Sequence, residues 1–377
     1  MSISWIVIIA AALFFLQFQF FARWGFRGLR IERTFNQTHC HVGDEIQMIE
    51  TIVNRKLAPI PWLRLESTIH AGLHFTRMNN LEVSSGSLFQ NHRSLFSLMP
   101  YTRIVRRHGV HAAKRGWYKL ETVAATIGDF VGVQAASTTH SMHVELLVYP
   151  RLVNRDDIPL LSSRWQGDVT VQRWIMPDPF LVSGVREYRY GDTMNSIHWK
   201  ATARSGRLQV YNREFTADPR LLIVVNSQVT PTMWDAVTDP ELVEKALSYA
   251  ATLAEHAISR GVPVGFGYNG WLLNEPGAPV YCEPDGGWSH LEHLYQTMAK
   301  LAISCARSCE DFLDYGIEVV GEALDIILVT AYVSEGIARS IERLEALGHS
   351  VFIVPLDHNL LELDEKEATP SDAQALA

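Results

Sequence analysis

The residues of this chain best equipped for chemistry fall in one run, "YRYGDTMNSIHWKATARSGRLQV", from Tyr188 to Val210. It sets Arg189, Lys200, Arg204 and Arg207 among Tyr188, Tyr190 and Trp199, in a chain of formal net charge -8. Arg186 stands just before it and His198 inside it. Cations beside a histidine suit a catalytic or anion-binding site, and cations among aromatics suit a single-stranded nucleic-acid surface. Aromatics with paired charges suit a brace between folded parts. The spacing predicts a turn at Gly191 and Asp192, with the Asp192 side chain capping a helix from about Thr193 to Ala203. Ser205 and Gly206 stop it. Ile197 and Ala201 then stack at i,i+4, while Lys200 and Arg204 share a stripe near the C-terminal end, where cations favour the helix dipole.

Other chemical signals are weaker. "GFGYNG" places Gly265, Gly267 and Gly270 in a G-x-G-x-x-G spacing. A phosphate-cradling loop must open a helix, and here "WLLNEPGAPVY" follows without helical period. The glycines read instead as points of close approach, and no cofactor is expected. The pairs His39/His41, His108/His111, His140/His143 and His290/His293 lack the H-E-x-x-H context, and no carboxylate or thiolate set completes a metal site. No G-x-S-x-G elbow is present for a serine nucleophile.

The elements that must position these residues make two or three domains in 377 residues. The composition, 47% hydrophobic and 20% charged, is that of a globular protein, and the acidic balance argues against bulk nucleic-acid binding. Cys40, Cys282, Cys305 and Cys309 suit a reducing compartment; Cys305 and Cys309 fall four apart in an expected helix, a poor disulfide geometry. Residues 1–29 read as a transmembrane anchor with a basic flank. Met1–Ala22 carries no charged side chain, and Arg23, Arg27, Arg30 and Arg33 follow. The positive-inside rule then predicts a single-pass cell-membrane protein with its C-terminal domains in the cytoplasm.

Residues 30–150 alternate in short β-rich runs punctuated by Gly, Pro, Asn and Ser, which predicts a β-sandwich. Residues 151–218 form a linker and the motif. Over 219–360 strands such as "RLLIVVN", "VPVGFGYN", "DIILVTA" and "SVFIVPL" alternate with helical patterns, one of them "SHLEHLYQTMAKLAISCARSCEDFLDYG". That alternation predicts a doubly wound α/β sheet, so the fold class is α+β multidomain. The tail 361–377 is acidic, low in apolar residues and expected to be disordered.

The C-terminal part resembles the von Willebrand factor A domain, whose Asp-x-Ser-x-Ser loop holds Mg²⁺. The matching positions here are Asn226, Gln228 and Thr230, and that family's later acidic position falls at Ala331. With those carboxylates absent, divalent binding is not expected. "GVREYRYGDTMNSIHWKATARSGRLQV" resembles the signature of the bacterial domain-of-unknown-function family fifty-eight, on Arg186, Tyr188, Gly191, Asp192, Ile197, Trp199, Lys200, Ala203 and Arg204. The resemblance extends to the anchor, "RGWY", "IGDFVGV" and "LLVYPRL". The family's basic residue shortly after Gly-Asp is missing, with Thr193, Met194 and Asn195 in its place. The resemblance implies a membrane-associated protein without established enzymatic activity, a companion of a MoxR-type AAA+ ATPase and sometimes of transglutaminase-like membrane proteins. Two function classes follow: a non-enzymatic scaffold or adaptor, in which the motif is a brace or a docking surface, and an enzyme or anion-binding module using Arg186, His198, Lys200 and Arg204.

Overall fold

The structure is a computed structural model describing residues 5, 8, 9, 24–75, 81–86, 89–128, 135–159, 184–188, 197–212, 220–230, 233, 237–316 and 324–356. The tail 361–377 and most of the linker around the motif therefore lie outside the described residues. The chain divides into two compact units, 1–152 with Tyr295–Leu301, and 153–294 with 302–377.

The first unit holds ten strands: β1 (Leu29–Phe35), β2 (His39–His41), β3 (Glu45–Asn54), β4 (Ile60–His70), β5 (Leu73–Phe75), β6 (Leu81–Ser85), β7 (Phe89–Leu98), β8 (Arg103–Ala112), β9 (Gly116–Gly128) and β10 (Ala135–Tyr149). They form a four-stranded sheet, β1-β3-β8-β5, and a six-stranded sheet, β2-β10-β9-β4-β7-β6. Ile52 from the first sheet packs with Leu63, Leu65, Phe96 and Ile127 of the second, so the core lies between the sheets.

Part of that interior is charged. In β7 every second residue is buried, and the inward set includes Gln90, His92 and Ser94 while Leu95 faces out. Buried Arg33 donates from Nε to Glu50 Oε1 at 2.8 Å and from a terminal nitrogen to Ser67 Oγ at 2.6 Å, a bond that crosses from one sheet to the other. His108 Nε2 stands 3.7 Å from Glu50 Oε2. Burial opposes ionisation of Glu50, but His108 and Arg33 outweigh it and hold the carboxyl below its ordinary range. Burial, then the Arg33 and His108 charges, push the His92 imidazole down to about 4.

The second unit opens with an antiparallel pair, β11 (Gly184–Glu187) and β12 (Gln209–Asn212), separated in sequence by the short helix α1 (Trp199–Ser205). Then follow β13 (Leu221–Val225), α2 (Pro240–Ser259), β14 (Val264–Tyr268), β15 (Val280–Asp285), α3 (Trp288–Ala299), α4 (Cys309–Gly316), β16 (Asp325–Thr330), α5 (Glu335–Ala346) and β17 (Ser350–Pro355). One sheet runs β15-β14-β13-β16-β17. Every residue of β13 is buried, as a strand with parallel neighbours on both sides requires. Leu222 and Val224 pack with Phe312, Leu313, Ile337, Ile341 and Leu344 of α4 and α5.

Two expectations are corrected. No helix among the described residues is long and apolar enough to cross a membrane, which stands against the single-pass anchor and the cell-membrane placement built on it; residues 1–4, 6, 7 and 10–23 of that expected anchor lie outside the described residues. The arginines counted as its flank have other partners: Arg33 is buried on Glu50, Arg30 pairs with Glu32 at 2.5 Å, and Arg27 lies over the Trp24 ring. A guanidinium committed to a buried carboxylate is not a free flanking charge. The fold class is corrected as well: strand outweighs helix, 45% to 24%, among the described residues, and no doubly wound α/β domain of von Willebrand A type is evident, the sheet of the second unit being mixed, with β15 antiparallel at its edge. "VYCEPD", not among the strands read from the sequence, is strand β15, antiparallel to β14. Proline has no N–H to give a ladder, so it is tolerated at an edge, and β15 is an edge strand whose register shifts in this stretch.

The long helix expected after Ser289 also divides. Between α3 and α4 the Ala302 N–H donates to Trp271 O at 3.0 Å, and the Ala306 and Arg307 N–H groups to Asn269 O at 2.8 and 3.2 Å. These distant acceptors replace the i–4 carbonyls of a continuing helix. Cys305 consequently sits in a loop and Cys309 begins α4.

Acid sensitivity of the sandwich follows from His92 and Glu50. The depressed His92 value means the unfolded chain binds a proton near pH 6.5 that the native state refuses until about pH 4. Stability present above pH 6.5 is therefore lost as pH falls through that window, with the Glu50 contribution lost below it. Urea midpoints measured from pH 7 to 4 should fall, and His92→Leu should flatten the decline; an unchanged slope in His92→Leu would place the titrating group elsewhere.

Candidate functional site

The motif folds as a strand pair carrying a helix. Ile197 bridges Val210, both buried, and the His198 N–H donates to Gln209 O at 2.7 Å, so the chain is extended up to the first turn of α1. The helix starts later than expected. His198, not Asp192, is its cap, with Nδ1 accepting from the Ala201 N–H at 3.1 Å. Gly191 and Asp192 lie outside the described residues. Thr202 Oγ1 accepts from the Gln209 N–H at 3.0 Å, tying the helix back to β12. Gly206, at φ 68°, ends it in the left-handed region that favours glycine, with its N–H on Thr202 O.

What α1 presents differs from a packed brace. Trp199 is 65% exposed, and Lys200 and Arg204 are exposed as well. Among the described residues no carboxylate pairs with Lys200 or Arg204. Together with His198, Ala201, Ser205 and Gln209 they line a depression of roughly 530 Å³. Tyr188 is half-buried, its N–H on Leu208 O at 2.9 Å, and Arg186 stands opposite Val210 in the β11–β12 register.

A second polar cluster lies at the C-terminal ends of the parallel strands. Asn226, just past β13, donates from Nδ2 to Thr330 Oγ1 at 3.0 Å, while its Oδ1 accepts from Asn269 Nδ2 and from the Gln228 N–H, each at 3.0 Å. Asn269 Oδ1 accepts from the Ser227 N–H at 2.6 Å. Gln228 donates to Met233 O at 3.0 Å and accepts from the Cys309 N–H at 2.8 Å. Thr330 Oγ1 donates to Tyr332 O at 2.8 Å. Of the three positions matched to a metal loop, Asn226 and Gln228 are thus buried and engaged with neighbours, and Thr230 is exposed. Ala331 is half-buried.

Close by, Ser334 caps α5, accepting from the Ile337 N–H at 3.1 Å and donating to Glu310 Oε1 at 2.7 Å. A methyl on Gly336 would collide with that carboxylate. Burial, with the neighbouring Glu310 and Cys305, pushes the Cys309 thiol far up, and burial with Cys309 pushes Tyr332 up to about 12. Neither can serve as a nucleophile or base near neutral pH.

Asn269, Thr330 and the Glu310–Ser334 pair were missed in the sequence. For Asn269 and Thr330 the available signal was a polar residue at or just past the end of a parallel strand. Gly267 of "GFGYNG" lies inside β14, where a side chain would press on Phe312 at 3.0 Å; the glycines admit neighbours and open no phosphate loop. Among the described residues no group of three His, Cys, Asp or Glu side chains is placed to hold a metal ion. His290 contacts Val264 O at 2.7 Å, and His41 contacts Pro150 O at 2.8 Å.

The family described as "Protein of unknown function DUF58" matches residues 184–359, the stretch from β11 to just beyond β17. The chain is 19% identical over 338 residues to "Uncharacterized protein YeaD" of Bacillus subtilis (strain 168), covering 88% of this chain and 78% of that one. Among solved structures, a cohesin module from a Clostridium perfringens family 33 glycoside hydrolase is 9% identical, with 31% of this chain and 95% of that chain covered and a TM-score of 0.21. A non-cellulosomal cohesin from Archaeoglobus fulgidus is 12% identical, with 34% and 94% covered and a TM-score of 0.21. Likeness at that level carries nothing about fold or activity.

Substituting Asn226 tests the strand-end cluster. Asn226→Ala should cost about 1–3 kcal/mol for each buried partner it orphans, read as a lowered urea midpoint. Asn226→Asp should destabilise at pH 7 and less at pH 5, because a buried carboxylate that no cation offsets is relieved by protonation. An Asp variant as stable as the parent at pH 7 would show that the cluster tolerates charge.

Proposed function

We propose that this protein is a non-enzymatic adaptor that presents α1 and the β11–β12 pair as a protein-docking surface. The observation carrying this reading is the exposure of Trp199 beside Lys200 and Arg204, with no described carboxylate paired to either cation. A large exposed aromatic flanked by cations has the composition of a binding hot spot, where Trp and Arg dominate. The strand-end cluster supports it too, because Asn226, Gln228 and Asn269 use their polar atoms on one another and on the backbone. The partner class is a MoxR-type AAA+ ATPase, and a transglutaminase-like membrane protein is the second candidate; both come from the resemblance of the signature and are proposals.

A second reading has its own observation. His198, Lys200 and Arg204 line one depression, which suits an anion-binding module that could also draw on Arg186. Titration with inorganic phosphate separates the two. Saturable binding lost in Lys200→Gln/Arg204→Gln favours the anion module.

A photo-crosslinking residue at position 199, activated in the native host, tests the docking reading. It should capture an AAA+ ATPase, and Lys200→Glu/Arg204→Glu should cut that capture at least about tenfold, since charge reversal turns attraction into repulsion. The thermal midpoint should stay unchanged, because exposed side chains without partners contribute little to stability. Capture of no ATPase, or equal capture by the charge-reversed variant, would end this reading.

A further inference from the structure

We propose that the acidic segment 357–377 of this same chain docks on the exposed face of α1, so that the docking surface is covered in cis until a partner displaces it. This deepens the adaptor reading and rests on α1 being a docking surface. Three observations lead to it.

The surface needs an occupant that is acidic and apolar together. Lys200 and Arg204, at i,i+4, present two cations unpaired among the described residues, beside Trp199 at 65% and Leu208 at 46% exposure. Beyond Leu356 the sequence reads "DHNLLELDEKEATPSDAQALA". It holds six carboxylates against Lys366, and Leu360, Leu361 and Leu363 lie next to Glu362, Asp364, Glu365 and Glu367. Leucines interleaved with carboxylates are complementary in type to two cations with an exposed tryptophan and an exposed leucine nearby in the chain.

The segment also reaches. Twenty-one residues follow Leu356, where the Leu356 N–H is fixed to Thr330 O at 3.0 Å. An extended chain of that length spans about 70 Å, against a diameter on the order of 40 Å for a folded unit of about 200 residues. Any face of the second unit lies within range.

Tethering supplies the occupancy. Exposed ion pairs are individually weak, and a free peptide of this kind would bind only in the millimolar range. A covalent tether of this length supplies an effective concentration of about that order, so a weak contact is substantially filled within one molecule. A partner presenting a stronger acidic or apolar segment can still displace it.

Hydrogen exchange of residues 199–205 in the full chain and in a chain ending at Leu356 tests the proposal. The full chain should exchange several-fold more slowly there. Millimolar synthetic peptide 357–377 should restore protection to the shortened chain, and Lys200→Glu/Arg204→Glu in the full chain should exchange like the shortened one. Zero-length carbodiimide crosslinking of a mixture of isotopically light and heavy full chain decides the geometry independently, even where the shortened chain folds poorly. Lys200 should join Glu362, Asp364, Glu365 or Glu367 within one isotopic species. Equal exchange in both chains, no Lys200–tail crosslink, or crosslinks only between light and heavy chains would overturn docking in cis. ATPase capture at position 199 with no tail contact would leave the adaptor reading standing and remove this one.

Discussion

Three neutral side chains at the ends of three parallel strands constrain everything the second unit can do. Asn226, Asn269 and Thr330 join the ends of β13, β14 and β16 through direct bonds of 3.0 Å, and the Asn226 amide both gives and accepts. A carboxylate at 226 could accept from Asn269 but could not donate to Thr330, so asparagine is the residue type this junction uses. Ligands of open parallel sheets bind at such strand ends. Here the space is taken up by side chains satisfying one another, with Gln228 reaching on to α4 through the Cys309 N–H. These bonds fix the geometry of the strand ends, although the buried Ser227 Oγ makes no hydrogen bond. Within the matched region Trp199 and Leu208 of the β11–α1–β12 segment face water, as do Leu273, Trp288 and Leu347.

The sandwich shows another use of buried polarity. Arg33 reaches Glu50 within its own sheet and Ser67 in the opposite one, so a charged group sets the relation between two layers that apolar contacts alone would leave free to slide. Buried ion pairs add little net stability, since desolvation offsets most of the attraction, yet they are costly to misplace. Here the inward polar residues of β7 fit only one register with β4. A shift of one residue would bury Leu95 and expose His92, stranding Arg33 and Glu50 without the polar neighbourhood that holds them.

How far the sequence could be read depended on whether local pattern or distant partners decided the outcome. The runs "RLLIVV", "VGFGY", "DIILVT" and "SVFIVP" form strands because continuous apolarity over five or six residues has few alternatives in a folded chain. The start of α1 was misplaced because Asp192 is the stronger capping residue by type, whereas the cap is set by Ile197 pairing with Val210, thirteen residues on and invisible to propensity. Strand β15 went unread for the same reason, since the edge position that lets it carry Pro284 is a tertiary property. The arginines after the apolar N-terminal run were read as a basic flank because charge was counted along the chain, without the carboxylate that meets Arg33 across the sheet. Within the candidate site the residue types at Trp199, Lys200 and Arg204 were legible; their exposure was not, because burial depends on what packs over them.

That exposure is the observation hardest to explain on structural grounds alone. A helix of seven residues is too short to be stable by itself, and α1 exists because His198 and Thr202 bind it to its own ends and to β12. A connection between two strands needs no helix at all; a few turn residues would close β11 to β12. The chain instead holds a rigid turn whose cap, C-terminal glycine and strand anchor are all satisfied, while its tryptophan and two cations are left in water. On the docking reading, a backbone held at both ends lowers part of the ordering cost of binding, although the exposed side chains must still be ordered. The same features would be wasteful in a spacer and are what a docking element requires.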